Sequence, residues 1–400
     1  MTYSKKIAKS QEDYCLTNYI EYNALTMPTP TPTTTSSRPS RQARPKLPPL
    51  PSNHPSFPRQ PKTGVLLVNL GSPQAATTQA LRVYLREFLS DRRVIELPRV
   101  WWWLILNGIV LRRRPAQSAA AYRRIWRTKN NNASDWGNPN AAPLRYFTIQ
   151  QAKAVAQDLA RRNTQGEFVV GWGMRYGTPS ISQQLDMLVG EGQCNRIIVM
   201  PLYPQYAAST TATVQDEVAR WLLRQRWQPS VRFVAPWHDD PRYISALRDS
   251  VLGCFKRVGK PDALLVSFHG IPLRYFKGGD PYHCHCMKTA RLLRETLQWS
   301  PKKFHVTFQS RFGREEWLQP YTDETIAELA RSGVKHLAVI APGFVSDCLE
   351  TLDELGNEAR EIFLTNGGET FTYIPALNDT PAGVAVLRAV LAENAGGWLQ

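Results

Sequence analysis

His269 ends the run Leu264-Leu265-Val266-Ser267-Phe268 and is followed at once by Gly270-Ile271-Pro272. A histidine in an apolar setting is ordinarily a satisfied core residue. Here the glycine and proline force a turn, which puts the imidazole at the carboxyl end of a strand, where open α/β sheets hold their ligands. A second group follows another apolar run: Asp347, Glu350 and Glu354 stand at i, i+3 and i+7, the spacing of one face of a helix begun near Ser346. Such a ladder is commonly a solvated surface. This one alternates with Phe344, Leu349 and Leu352 and begins at a strand end, which favours a path for cations or protons. One histidine with several carboxylates, and no thiolate cage, suits Fe(II), Zn or Mg.

Other strand ends carry weaker signals. After Phe168–Trp172 come Arg175, able to pair with a carboxylate, and Tyr176, able to stack on a flat ligand. After Arg196–Leu202 come Tyr203, Tyr206 and the hydroxyls Ser209 to Thr211, which suit a wide aromatic ligand or a plain structural role. Gly71-Ser72-Pro73 is a tight turn that could hold an anion or nothing. It is not G-x-G-x-x-G, and no phosphate-binding loop with G-K-[ST] occurs, so nucleotide binding has no motif behind it.

The elements that must position these residues alternate. Apolar or β-branched runs occur at 64–70, 168–172, 196–202, 231–235, 263–268, 304–308, 336–340 and 371–374, separated by helix-like stretches such as 78–88, 213–224, 242–258, 289–296 and 322–331. This pattern predicts an α/β protein of two doubly wound halves, each a mainly parallel four-stranded sheet flanked by helices. The expected divisions are a tail over 1–61, a first half over 62–248, a second over 249–372 carrying His269 and Glu350, and a terminal segment over 373–400 whose helix returns to the first half.

Residues 28–61 hold eleven prolines and no acid, so the tail reads as disordered. The acids Glu12, Asp13 and Glu21 favour this over a transit peptide, and a start at Met27 is an alternative reading. The whole chain carries 49 Lys+Arg against 33 Asp+Glu, net +16. Residues 1–60 account for +5, so the remainder is basic too, consistent with an anionic membrane or an acidic small molecule. No zinc finger, RNP-like pattern or basic zipper supports nucleic acid. Six scattered cysteines are no disulfide scaffold and indicate a reducing compartment. No apolar stretch is long enough to span a bilayer. Trp101-Trp102-Trp103, flanked by Arg99 and Arg112-Arg113-Arg114, reads as a greasy lip at a membrane interface, with a core role as the alternative.

Taken together, Gly64–Pro73, Tyr203–Tyr206, Ser267–Pro272, Gly279–Tyr282, Phe308–Arg311, Trp317–Pro320 and Pro342–Leu352 resemble ferrochelatase, in that family's order over about 62–390. The resemblance implies the chelatase fold and insertion of Fe(II) into protoporphyrin IX, the last step of haem synthesis, with iron as a substrate and no organic cofactor. It makes His269 and Glu350 the catalytic pair that binds metal and removes pyrrole protons, without dividing the two tasks between them. Asp347 and Glu354 become the acidic lane behind Glu350. Arg175, Tyr176, Tyr206, Trp317, Phe344, Trp102 and Leu70 surround the macrocycle, and 101–106 form a lip that meets the membrane. Leu70 stands where the coproporphyrin-using branch tends to have Tyr, which favours protoporphyrin IX.

Cys348 replaces the histidine of animal members and indicates a bacterial type. No cysteine follows it, so a C-terminal 2Fe-2S cluster is not expected. An internal cluster on Cys284 and Cys286 with Cys254 or Cys348 is the disfavoured alternative. The expected location is cytoplasmic, peripheral to an anionic membrane, with no nucleic-acid partner. Competing readings are a chelatase for cobalt or nickel and another tetrapyrrole, a porphyrin carrier without turnover, and a basic nucleotide-binding protein.

Overall fold

Every one of the short apolar runs is a strand in the computed structural model, which describes residues 61–126, 141–161, 167–313 and 315–398. The tail expected over 1–61 lies outside these residues save for Pro61. The strands are β1 (Lys62–Gly71), β2 (Glu167–Tyr176), β3 (Arg196–Pro201), β4 (Ser230–Phe233), β5 (Ala263–His269), β6 (Phe304–Gln309), β7 (His336–Ile340) and β8 (Thr370–Ile374). They form two four-stranded sheets of order β2-β1-β3-β4 and β6-β5-β7-β8, all parallel. Both faces of a parallel sheet are covered by crossover helices, which is why central strands read as unbroken apolar runs. Val65 to Val68 and Leu264 to Val266 are fully buried.

In each sheet the first strand in chain order lies inside, with its successor on one side and the next strand on the other. The order therefore reverses beside the carboxyl ends of β1 and β5, and a crevice opens there. Gly71 ends β1 at φ 122°, and a Cβ there would lie 1.9 Å from the Tyr176 carbonyl oxygen. Only glycine admits that approach of the two strand ends. His269 ends β5.

The helices are α1 (Thr78–Leu89), α2 (Arg99–Ile105), α3 (Leu111–Ile125), α4 (Pro143–Arg161), α5 (Ile181–Val189), α6 (Thr213–Leu223), α7 (Pro241–Val258), α8 (Leu273–Lys277), α9 (Tyr282–Leu297), α10 (Thr322–Arg331), α11 (Ala359–Thr365) and α12 (Pro381–Ala395). A π-helical turn, Leu106–Val110, joins α2 to α3, and a π-helix, Glu350–Glu358, precedes α11. Local chemistry explains several starts. Asp240 caps α7 by accepting from Arg242 N and Tyr243 N, with Pro241 at the first helical position. Ser180 and Gln183 form a capping box on α5.

The boundary expected after residue 248 falls inside α7, a continuous helix whose apolar face holds Tyr243, Leu247 and Val251. One core runs through both halves, uniting Val65, Leu67 and Ile198 with Leu264, Val266, Leu387 and Leu391. The terminal helix α12 is tied to the first half by Arg388–Asp158 at 3.3 Å and Ala235 N to Asn394 Oδ1 at 3.0 Å. Arg232 donates to the Ala395 carbonyl and lies 3.9 Å over the Trp398 ring. Among the described residues no helix is long and apolar enough to cross a membrane.

Candidate active site

The imidazole of His269 leaves β5 half-buried, with Nδ1 2.6 Å from the Gly270 carbonyl oxygen. A carbonyl only accepts, so Nδ1 carries the proton and the neutral ring keeps its lone pair on Nε2. Trp317 backs this corner. Its indole N–H donates to Phe312 O at 2.8 Å, and its ring lies 3.2 Å from where a Cβ on Gly270 would be.

Gln309 joins the histidine to the carboxylates. It is the β6 partner of His269 in the sheet register, and its carbonyl accepts from Gly270 N at 2.8 Å. Beneath it a buried hydroxyl chain links Ser267, Thr322 and Thr307. Ser267 donates to Gln309 Oε1 at 2.8 Å, turning Nε2 the other way. That Nε2 donates to the Glu350 carbonyl at 2.8 Å and to Glu354 Oε2 at 3.3 Å. Ser310, held at φ 67°, also donates to Glu354. Non-glycine residues seldom occupy that region, and strain of this kind gathers at functional sites. Gln309 and Ser310 had only their place in the motif Phe308-Gln-Ser-Arg311 to signal them; β6's carboxyl end was the clue.

Burial raises the Glu354 carboxyl, and the Glu350 charge raises it further, to about 7, against the lowering effect of the Ser310 and Gln309 hydrogen bonds. Cys348 is fully buried; desolvation lifts its thiol well above the ordinary range, with Glu350 adding to the lift. Across from the π-helix stand groups from the first half. Leu70 and Leu349 pack on one apolar cluster with Tyr84 and Tyr122, and the Glu350 charge contributes to raising both phenols beyond the effect of their burial. Arg114 of α3 lies 4.1 Å over the Phe312 ring; burial lowers its pKa while Glu354 opposes that. Leu70, Trp317, Glu350 and Glu354 therefore share this region with His269, and Tyr84, Tyr122 and Arg114 join them.

Other expected site residues lie elsewhere or turn away. Arg175 does pair with a carboxylate, but an internal one: Nη2 meets Asp91 Oδ2 at 2.5 Å and Nε meets Thr213 Oγ1 at 2.7 Å. Tyr176 is fully buried, its hydroxyl donating to Asp91 at 2.9 Å and its ring edge-on to Phe88 at 5.1 Å, so no face is left to stack on a ligand. Arg175 lines a cavity of about 750 Å³ whose lining includes neither His269 nor Glu350, and whose Arg93 and Arg220 are paired with Asp216 and Glu217. Trp102 is core, 4% exposed, with its indole N–H on Leu89 O at 2.6 Å, whereas Trp101 and Trp103 are 68% and 62% exposed. The core alternative holds for one tryptophan of the three.

Asp347 departs from the expected ladder. It precedes the π-helix and is 1% exposed. Tyr373 OH at 2.6 Å, Thr351 Oγ1 at 2.9 Å, Ala376 N at 3.4 Å and Asn378 Nδ2 at 2.7 Å all donate to it. Four donors occupy the lone pairs of a carboxylate, which makes this one a structural anchor rather than a free ligand. Phe344 packs half-buried on the second half's own apolar cluster, and Tyr206 donates its backbone N–H to His285 Nδ1 at 3.2 Å. Cys284 is exposed and Cys254, Cys286 and Cys348 are buried. Among the described residues no three His, Cys, Asp or Glu side chains converge as a ready-made metal cage.

The family model described as Ferrochelatase matches residues 62–395 of this chain. A ferrochelatase from Agrobacterium fabrum is 52% identical over 351 residues, covering 88% of this chain and 98% of that protein. One from Rhizobium meliloti is 54% identical over 339 residues, covering 84% and 96%. One from Teredinibacter turnerae is 48% identical over 343 residues, covering 86% and 90%.

Proposed function

This chain belongs to the ferrochelatase family, and we propose that it inserts ferrous iron into protoporphyrin IX, releasing two protons and giving protohaem in the last step of haem synthesis. The reaction exchanges two pyrrole N–H protons for a dication at the centre of a flat, apolar ring. It needs a base near the ring nitrogens, carboxylates that hold a partly dehydrated cation, and walls that exclude water. His269, with its lone pair on Nε2, and Glu350 are the groups proposed for metal handling and proton removal. Glu354, poised near neutrality, is proposed to pass ions or protons to and from Glu350.

The observation that carries this reading is the Gln309 bridge. Gln309 stands beside His269 in the sheet and takes the Gly270 N–H on its backbone carbonyl, while its side-chain amide, fixed by Ser267, reaches the Glu350 carbonyl and the Glu354 carboxylate. Without it the histidine and the carboxylates would be unrelated features of two elements. Trp317 beside Gly270, and Leu70 with Tyr122 opposite, suit an apolar ring. Arg114 supplies a cation for a propionate.

The exposed residues of α2 and the π turn, Val100, Trp101, Trp103, Leu104 and Ile109, make an apolar face beside the exposed Arg112 and Arg113. Such a face suits peripheral contact with an anionic bilayer, from which a hydrophobic porphyrin could enter.

The test is anaerobic insertion of Fe(II), or Zn(II) as surrogate, into protoporphyrin IX followed by absorbance, with His269→Ala and Glu350→Gln beside the unaltered protein. Turnover that collapses in both variants while porphyrin still binds supports the reading. Porphyrin binding without turnover in the unaltered protein overturns it.

A further inference from the structure

Among the described residues, one arginine of the first half, Arg124, makes ion pairs with the carboxylate-bearing π-helix. Asp353, between Glu350 and Glu354, has a side chain only 1% exposed. Arg124, in the last turn of α3, engages it as a fork: Nε donates to Oδ1 at 2.7 Å and Nη2 donates to Oδ2. Nη2 also reaches Glu358 at 3.2 Å, and Asn357 Nδ2 donates to Asp353 Oδ1 at 3.0 Å. The Arg124 side chain is 47% exposed, so the fork sits at the rim with its acid end buried. Paired arginine and carboxylate planes fix direction as well as distance, which a single point charge does not.

Both ends of the fork bear on the site. Arg124 lies two residues after Tyr122 and one helix with Arg114, the first-half groups that face Glu350 and Glu354. Asp353 lies on the π-helix that carries those two carboxylates. We propose that the Arg124–Asp353 pair is a positioning clamp that sets the gap between the α3 wall and the carboxylates, and so the width of the slot for the flat substrate. The inference rests on the chelatase reading of that site and adds to it the residues that hold the slot's two sides in register. Neither residue touches substrate; each acts through its helix. Loss of the clamp leaves a buried carboxylate unpaired on a helix free to shift, and a shift near 1 Å at a reacting centre costs up to about a hundredfold in rate.

The experiment uses the full chain, Zn(II) and protoporphyrin IX, with Arg124→Gln, Arg124→Lys, Asp353→Asn and the double variant Arg124→Gln/Asp353→Asn. Rates are taken per folded molecule, with thermal melts and porphyrin affinity measured on the same samples. We expect each single variant to lose about tenfold or more in kcat/KM. Arg124→Lys is expected to lose nearly as much as Arg124→Gln, because it keeps the charge and loses the fork. The double variant is expected to lose no more than the worse single, because the two residues act as one unit. Should Asp353→Asn fail to fold, the two Arg124 variants, altered at a half-exposed position, still decide the matter. Variants that turn over like the unaltered protein once corrected for folded fraction overturn the clamp, as do losses that multiply in the double variant. An unaltered protein that binds porphyrin and does not turn over would instead refute the chelatase reading.

Discussion

Glu354 offers the sharpest test of the site's electrostatics. Its carboxyl is buried against Glu350 and its folded pKa is raised from the ordinary 4.5 to about 7. A group raised in this way favours its protonated form in the folded state. Its contribution to stability is therefore fully present below the unfolded value and is lost as pH rises through the folded one. Carrying the carboxyl from 4.5 to about 7 corresponds to about 3 kcal/mol of lost stability between pH 4.5 and 8. Glu354→Gln removes the titration and keeps an amide that can still accept from Ser310. Urea unfolding of both proteins between pH 5 and 8.5 should show the unaltered one weakening relative to the variant by about 2–3 kcal/mol, with most of the change below pH 7.5. In parallel, the pH–rate profile of Zn(II) insertion should lose an inflection near neutrality in the variant. Stability curves that run parallel across the range would refute the argument, since they would mean that burial and the Glu350 charge do not act on Glu354 in the folded state.

Four further outcomes follow from the placement of particular side chains. Trp102→Ala should destabilise by about 3–5 kcal/mol in urea titrations, whereas Trp101→Ala and Trp103→Ala should change stability by less than about 0.5 kcal/mol each. The same two surface variants should weaken sedimentation with vesicles containing phosphatidylglycerol, and that binding should fall with added salt. Asp347→Ala should cost about 3 kcal/mol or more, because it leaves the buried donors Tyr373, Thr351 and Asn378 unmatched; equal urea midpoints would count against the anchor role. Arg175→Ala should lower thermal stability through the exposed need of buried Asp91, while affinity for protoporphyrin IX, measured by fluorescence, stays within about twofold.

The strands were readable because parallel strands covered on both faces cannot hide their apolar continuity. His269 was readable because a histidine at such a strand's end has few structural uses. The carboxylate ladder was half readable. An α-helical spacing aligns Asp347, Glu350 and Glu354, but the backbone adopts a π-helix from Glu350, and Asp347 is captured before it by Tyr373 and Asn378. No sequence period announces a π-helix, which depends on tertiary fit. Arg175 reads as a substrate-binding residue able to pair with a carboxylate; the carboxylate it meets is Asp91, 84 residues away, which is a matter of folding and not of motif. Three successive tryptophans on a helix must point about 100° apart, so one faces inward; which one is set by the Leu89 carbonyl.

The clasp of Arg232 on Ala395 and Trp398 bears on how the chain is made. Leu387 and Leu391 of α12 belong to the same core as Val65, Leu67 and Ile198 of the first sheet, and α12 packs on α4, α7 and β4. During synthesis the first half emerges well before α12, which follows it by the whole of the second half. The nascent first half must therefore persist with an incomplete core until the second half and α12 have been made, exposed to aggregation and to chaperones. A chain stopped before Leu387 should remain in that unfinished state.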